Sequence, residues 1–236
     1  MNEIREKILE VRARMAKAAL QAGRNPGNIK LMAVSKAVSP ERVAAAIAAG
    51  VDIVGENYLQ EAQSKEATLV IAPALHFIGH LQSNKAKFAV RLFDMIHSID
   101  RPELAEELNK RAAALGKIQD ILLEINMGGE ETKSGVAPAA AATLLERIAP
   151  LVNLRVCGLM TIPPPFFDGK ETRLCFANLF RLCETLRLLQ IPNAPLTELS
   201  MGMSNDYEMA IQEGATIVRI GRGIFGKRPS RVCNVR

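Results

Sequence analysis

Lys36 closes the first strongly apolar run of the chain, Leu31-Met32-Ala33-Val34-Ser35-Lys36, and a helix-like stretch from Pro40 to Gly50 follows. At the C-terminal end of a first β-strand of an α/β barrel, a lysine points into the barrel mouth. Desolvation and cationic neighbours there can lower the pKa of such a lysine and make its amine a nucleophile toward aldehydes. Alone, a strand-end lysine is an ordinary surface residue. Its weight comes from what accompanies it. Ser200-Met201-Gly202-Met203-Ser204-Asn205-Asp206 joins a late apolar run to a helix. Ser204 or Asn205 is suited to cap that helix, whose free N–H groups attract an anion. Gly221-Arg222-Gly223, after the last run, offers a second set of open amides. In barrels, the loops after strands seven and eight commonly hold phosphate. Arg219 lies inside the last run, on the same strand face as Ile217 and Gly221. A covered arginine needs an anion or an acceptor to offset its desolvation; a partner carboxylate and a ligand atom are both open.

Other combinations are weaker. His76 and His80 share a strand face if that run stays extended, and Glu56 and His97 could complete a metal site. On a strand the HxxxH spacing is too wide for one ion, so no metal is expected. Gly128 to Gly135 lacks the order of a phosphate loop and reads as a flexible connection. Cys157, Cys175, Cys183 and Cys233 show neither CxxC nor ligand spacing and read as reduced residues of a cytoplasmic protein.

The elements that must position these residues alternate. Apolar runs fall at Leu31–Val34, Val51–Val54, Leu75–Ile78, Met95–Ile99, Ile121–Ile125, Leu154–Met160, Leu196–Met201 and Thr216–Ile220. Between them lie helical patterns. Ser39–Ala49 has a serine cap and a first-turn proline; Asn57–Ala67 and Asn84–Leu92 are fainter. Asp100–Leu115 has a capping aspartate. Ala137–Ala149, Lys170–Leu189 and Ser204–Glu213 follow, with a short helix expected after Ile224. An opening helix within residues 1–23 puts Ile4, Ile8, Val11 and Met15 on one face. Eight strand–helix repeats predict a single (β/α)8 TIM barrel spanning residues 1–236, with an extra N-terminal helix and a loose basic tail at 227–236. Polar residues and glycines gather after the runs: Lys36, Asn57, His80, Met160-Thr161, Ser204, Arg222. That is the end at which barrels carry their sites.

Composition narrows the function. The chain has 236 residues, 48% of them hydrophobic but only 4% aromatic and none tryptophan, so its core is aliphatic. The net charge of +5 comes from charges that alternate in sign along helices, which reads as solvated faces. With little aromatic surface for base stacking, nucleic acid is excluded as a partner. The longest uncharged run, Ala67–Asn84 apart from its histidines, contains Pro73 and polar residues and is no membrane span.

Taken in order, Ala33-Val34-Ser35-Lys36, Gly55-Glu56-Asn57, His76-Phe77-Ile78-Gly79-His80-Leu81-Gln82-Ser83-Asn84-Lys85, Lys133-Ser134-Gly135, Gly158-Leu159-Met160-Thr161, Leu199-Ser200-Met201-Gly202-Met203-Ser204 and Val218-Arg219-Ile220-Gly221 resemble the pyridoxal-phosphate homeostasis protein family. The resemblance spans nearly the whole chain. It implies a barrel similar to the N-terminal domain of alanine racemase, with pyridoxal 5'-phosphate (PLP) as a Schiff base on Lys36. It further implies Arg219 facing the pyridine nitrogen and the last two strand loops holding the phosphate. The cofactor-binding set expected is Lys36, Asn57, His80, Met160, Ser200, Met203, Ser204, Arg219, Gly221 and Arg222, with no residue assigned to catalysis. Two positions depart from the family pattern: proline is expected at His80 and a small hydroxyl residue at Arg222.

The residues agree with that implication. PLP needs an amine, a phosphate cradle and a partner at its ring nitrogen. Arginine cannot accept a proton, so it donates to an unprotonated nitrogen and weakens the ring as an electron sink. The expected function is therefore a monomeric carrier that buffers PLP or delivers it to PLP-requiring apo-enzymes, with slow side reactions at most. The competing reading is a PLP-dependent amino-acid racemase. In two-base racemases of this fold a tyrosine from an additional domain serves as second base. This chain has only Tyr58 and Tyr207, both expected in barrel loops or helices.

Overall fold

Eight parallel strands close on one another in chain order, so each pairs with its sequence neighbours and the eighth returns to the first. They are β1 (Lys30–Val34), β2 (Ile53–Glu56), β3 (Leu75–Phe77), β4 (Met95–Ile99), β5 (Gln119–Glu124), β6 (Leu154–Met160), β7 (Glu198–Ser200) and β8 (Ile217–Ile220). The helices are α1 (Asn2–Gln21), α2 (Pro40–Ala48), α3 (Leu59–Ser64), α4 (Glu66–Leu69), α5 (Ala86–Leu92), α6 (Pro102–Ala114), α7 (Ala141–Ile148), α8 (Gly169–Arg187), α9 (Tyr207–Gln212) and α10 (Arg222–Phe225). The computed structural model describes residues 2–130 and 134–226. The basic tail, Cys233 and Lys133 lie outside the described residues. Among those described, no helix is long and apolar enough to cross a membrane.

Strand alternation divides the apolar residues into two cores. Outward-facing Leu31, Ala33, Val54, Phe77, Ile96, Ile121, Val156, Val218 and Ile220 meet the helices in one continuous cluster. Each of these side chains larger than alanine contributes roughly 1.5–3 kcal/mol on burial. Inside the barrel there are two small apolar groups. Met32, Val34, Ile53, Ile78 and Ile217 fill one side. Met95, Leu122, Cys157 and Met160 fill the other. Cys157 and Met160 share the interior because the β5–β6 register shifts between Ile121 and Leu122.

Several local expectations change. The helix expected at Asn57–Ala67 is divided at Lys65 (φ −108°, ψ 6°), whose side chain turns inward. Asp100 does not cap α6: Arg101 holds the cap position, and Asp100 pairs with the Arg101 guanidinium instead. Neither Ser204 nor Asn205 caps the following helix, which starts later, at Tyr207. The terminal helix begins at Arg222, ahead of Ile224, because the Gly221 carbonyl accepts from the Ile224 and Phe225 amides. An unforeseen capping box, Asp168 with Glu171, starts α8. Helix α1 lays Ile4, Ile8, Val11 and Met15 against the barrel and packs on α2, α9 and α10. Its Arg14 pairs with Glu208 at 2.9 Å, which ties α1 to the helix after β7.

Candidate functional site

A cavity of about 720 Å³ opens at the C-terminal ends of the strands. Lys36, Asn57, Met203, Ser204, Arg219, Gly221 and Arg222 line it. Seven of the ten expected binding residues therefore meet around one space, though they come from opposite ends of the sequence.

Arg219 anchors the floor. It is 4% exposed, its Nη1 donates to Ser200 Oγ at 2.8 Å and its Nη2 to the Thr161 carbonyl at 2.8 Å. Burial lowers its pKa to about 10, with Asp206 and Glu124 acting in the opposite sense, so it remains a cation at neutral pH. Ser200 is thus a support for Arg219 and lies off the cavity surface. Behind it, His97 Nδ1 lies 3.0 Å from Ser200 Oγ, and His97 Nε2 lies 2.9 Å from His76 Nδ1. Arginine only donates, so Ser200 accepts from it. The assignment that leaves no donor idle has the Ser200 hydroxyl donating to His97 Nδ1, and His97 Nε2–H donating to His76. Burial lowers the His76 pKa to about 4 and that of His97 well below the usual value. Both imidazoles are therefore neutral, and the chain behind Arg219 carries no charge.

The β7 and β8 loops meet at Ser204, whose hydroxyl oxygen accepts from Gly223 N at 3.1 Å. That leaves the Ser204 proton for an anion in the cavity. The Met203 amide is held by Asp206 Oδ1 at 2.5 Å. Burial pushes the Asp206 carboxyl up, opposed by that amide and Arg219. Gly202 adopts φ +90°, and a Cβ there would lie 2.6 Å from Ala210 Cβ, so the tight exit from β7 requires glycine. Across the mouth, Ile162, Pro163, Pro164, Pro165 and Phe167 form an apolar wall.

Three expected residues lie elsewhere. Met160, 1% exposed, packs inside the barrel with Met95, Leu122 and Cys157. Ser200 is the support just described. His80 does not share a face with His76, because β3 ends at Phe77 and the chain turns at Gly79, where a Cβ would sit 2.0 Å from the Asn57 carbonyl oxygen. It lines a separate cavity of about 420 Å³ with Tyr58, Gln82, Lys85 and Phe88. The weak metal grouping separates too: His97 bonds His76 and Ser200, whereas Glu56 bonds Ser35 and Lys65.

Sequence reasoning missed the Pro163–Phe167 wall, Asp206 and Glu124. A run of three prolines after the sixth strand was the available signal for the first. Glu124 ends β5, and burial with neighbouring Asp100 pushes its pKa up to about 7 against the pull of Arg219.

Comparison with known proteins fits this arrangement. Residues 9–229 match the family model of the alanine racemase N-terminal domain. The pyridoxal phosphate homeostasis protein of Aquifex aeolicus is 44% identical over 224 residues, covering 94% of this chain and 97% of its own. That of Pseudomonas aeruginosa is 44% identical over 229 residues, covering 97% of each. PipY of Synechococcus elongatus, solved with PLP bound, superposes with a TM-score of 0.82 at 37% identity over 94% of this chain and 100% of PipY. Alanine racemase of Corynebacterium glutamicum shares the fold, at 19% identity and a TM-score of 0.69 over 96% of this chain and 62% of the racemase. The chain, with its lysine and arginine facing one strand-end cavity, belongs to the pyridoxal phosphate homeostasis protein family.

Proposed function

We propose that this protein holds PLP as a Schiff base on Lys36 and buffers or delivers it without efficient turnover. The observation that carries this reading is the shared cavity: an amine, a buried guanidinium and a two-loop anion cradle face one space. The residues fit the group. Ser204 has a proton to donate, Arg222 brings a cation to the rim, and Asn57 Oδ1 is buried with no hydrogen-bond partner among the described residues. That oxygen suits a donor on a ligand.

When bound, PLP supplies an aldehyde that an amine can capture. Lys36, which lines the cavity, would be the amine that holds it. Arg219, held from behind by Ser200 and Thr161, lines the cavity and, as a donor only, would hold a ring nitrogen there unprotonated. The neutral histidine chain adds no proton source at that nitrogen. Neither Tyr58 nor Tyr207 lines the cavity, so neither is placed as the second base of a racemase.

Visible absorbance of the purified protein, followed by borohydride reduction and peptide mapping, tests the linkage. The adduct is expected on Lys36. A colourless protein indifferent to added PLP, or an adduct solely on another lysine, overturns the reading. A panel of amino acids of both hands tests the absence of turnover. Conversion within the usual enzymatic range, about 1 to 1000 per second, and abolished by Lys36→Ala, would make the protein an enzyme.

A further inference from the structure

The backbone around Lys36 is unusual. Ser35 to Val38 form a turn closed by Val38 N donating to the Ser35 carbonyl at 3.1 Å. Its third residue, Ala37, has φ +55°. That conformation is one which residues with a side chain avoid, and turns of this kind normally place glycine or asparagine there. Something outside the turn must hold it.

The neighbouring polar groups supply the hold. Ser35 N donates to the Gly55 carbonyl at 3.0 Å, and Ser35 Oγ to Glu56 Oε1 at 2.6 Å. Lys65 Nζ donates to the Ser35 carbonyl at 2.7 Å and to Glu56 Oε1 at 2.9 Å. On the other side of Lys36, the Ala37 amide donates to Glu61 Oε2 at 2.8 Å. Glu61 lies 3.8 Å from the same Lys65 ammonium. Glu56 and Lys65 are buried, at 0% and 6% exposure. The two peptide units that flank Lys36 are therefore gripped by one charged cluster: Glu56 from β2, Glu61 from α3 and Lys65 from the α3–α4 junction. This cluster lies outside the cavity lining.

We propose that Glu56, Glu61 and Lys65 are positioning residues that clamp the strained Ser35–Val38 turn and so aim the Lys36 amine into the cavity. They touch no ligand. Their effect passes through the backbone on either side of the reacting lysine. The inference rests on the cofactor reading above and adds to it the source of the lysine's geometry.

Glu61 is the member to vary, since it is partly exposed and its loss leaves the buried Glu56–Lys65 pair intact. Glu61→Ala and Glu61→Gln are compared with wild type for two ligands, PLP and pyridoxine 5'-phosphate. The latter has the ring and phosphate but an alcohol in place of the aldehyde, so it reports the cradle without the covalent link. Glu61→Ala is expected to raise the PLP concentration for half-maximal imine absorbance by about tenfold, equivalent to about 1.4 kcal/mol. Its binding of pyridoxine 5'-phosphate is expected to match wild type. Glu61→Gln, whose amide oxygen can still accept from Ala37 N, is expected to restore PLP binding. Equal weakening of both ligands would mark Glu61 as merely structural and overturn the clamp, as would a Glu61→Ala protein that links PLP like wild type. A wild-type protein that binds neither ligand would overturn the cofactor reading, and the clamp with it.

Discussion

The two walls of the cavity are built on different physics. On the β1–β2 side, Lys36 is flanked by a buried ion pair, Glu56 with Lys65 at 2.9 Å, which grips backbone. On the β7–β8 side, Arg219 is backed by uncharged groups: Ser200, His97, His76 and the Thr161 carbonyl. The Lys36 turn is hydrogen-bonded by charged groups, and the buried Arg219 hydrogen-bonds neutral ones, with Asp206 and Glu124 acting on it through space. The arrangement matches what each wall has to tolerate. In the reading proposed above, a carboxylate hydrogen-bonded to Arg219 would compete with a ligand atom for the guanidinium, whereas the neutral acceptors Ser200 and Thr161 do not. Around Lys36 the clamp proposed above calls for rigid backbone, and charged hydrogen bonds are the stronger fasteners.

That contrast makes graded predictions. Lys65→Met strips the partner from the buried Glu56 and is expected to cost about 3–5 kcal/mol, the usual penalty for breaking a buried pair. Chemical denaturation measures it. Ser200→Ala on the opposite wall leaves His97 and Arg219 each one hydrogen bond short, and about 1–3 kcal/mol is expected. If both variants lose the same stability, the contrast between the walls fails.

The pH dependence sharpens the comparison from another direction. His76 has its folded pKa depressed to about 4 from 6.5, so the unfolded chain binds the proton first. Its contribution to stability is complete above 6.5 and declines as pH falls toward 4, by roughly 3 kcal/mol at one pKa unit per 1.36 kcal/mol. Buried carboxyls with raised pKa values, Glu56, Glu124 and Asp206, act with the opposite sign in the acid range. The quantity to measure is therefore the stability of wild type minus that of His76→Asn, which should shrink between pH 7 and pH 4. A difference that stays flat would mean that His76 titrates at the same pH in the folded and the unfolded chain. The smallest effect is reserved for the barrel floor, where Arg155 pairs with Asp120 at 2.7 Å while 55% exposed. Arg155→Ala should change stability by less than about 1 kcal/mol in thermal denaturation.

Much of this was legible in the sequence, for a physical reason. Parallel strands covered on both faces are written as short apolar runs, and all eight runs became strands, although Leu196–Met201 contracted to Glu198–Ser200 because Leu196 turns to φ +51°. Strand ends then located Lys36, Asn57, Ser204 and Arg222 without knowledge of any side-chain contact. What the sequence hid were features that depend on pairing between distant segments. Met160 faces the dry interior because of a register shift against β5. His80 turned away because Gly79 packs on the Asn57 carbonyl. Asp100 and Ser204 looked like helix caps, yet Arg101 and Gly223 engaged them first. The Lys65 side chain, one of 30 basic residues, carries no local sign that it folds inward. A polar residue read from sequence has several local partners open to it, and only the closed barrel selects among them.

The filled interior has a consequence for traffic. Two apolar groups and the histidine chain occupy the barrel from wall to wall, and ion pairs between Lys30 and Glu198 and between Arg155 and Asp120 lie toward its N-terminal end. The filled interior thus closes the cavity on the side of the barrel core and leaves it open at the C-terminal ends of the strands. The proline wall borders that open side. In the carrier reading proposed above, a donor and a recipient would then meet the cavity at the same end, so loading and unloading would alternate there.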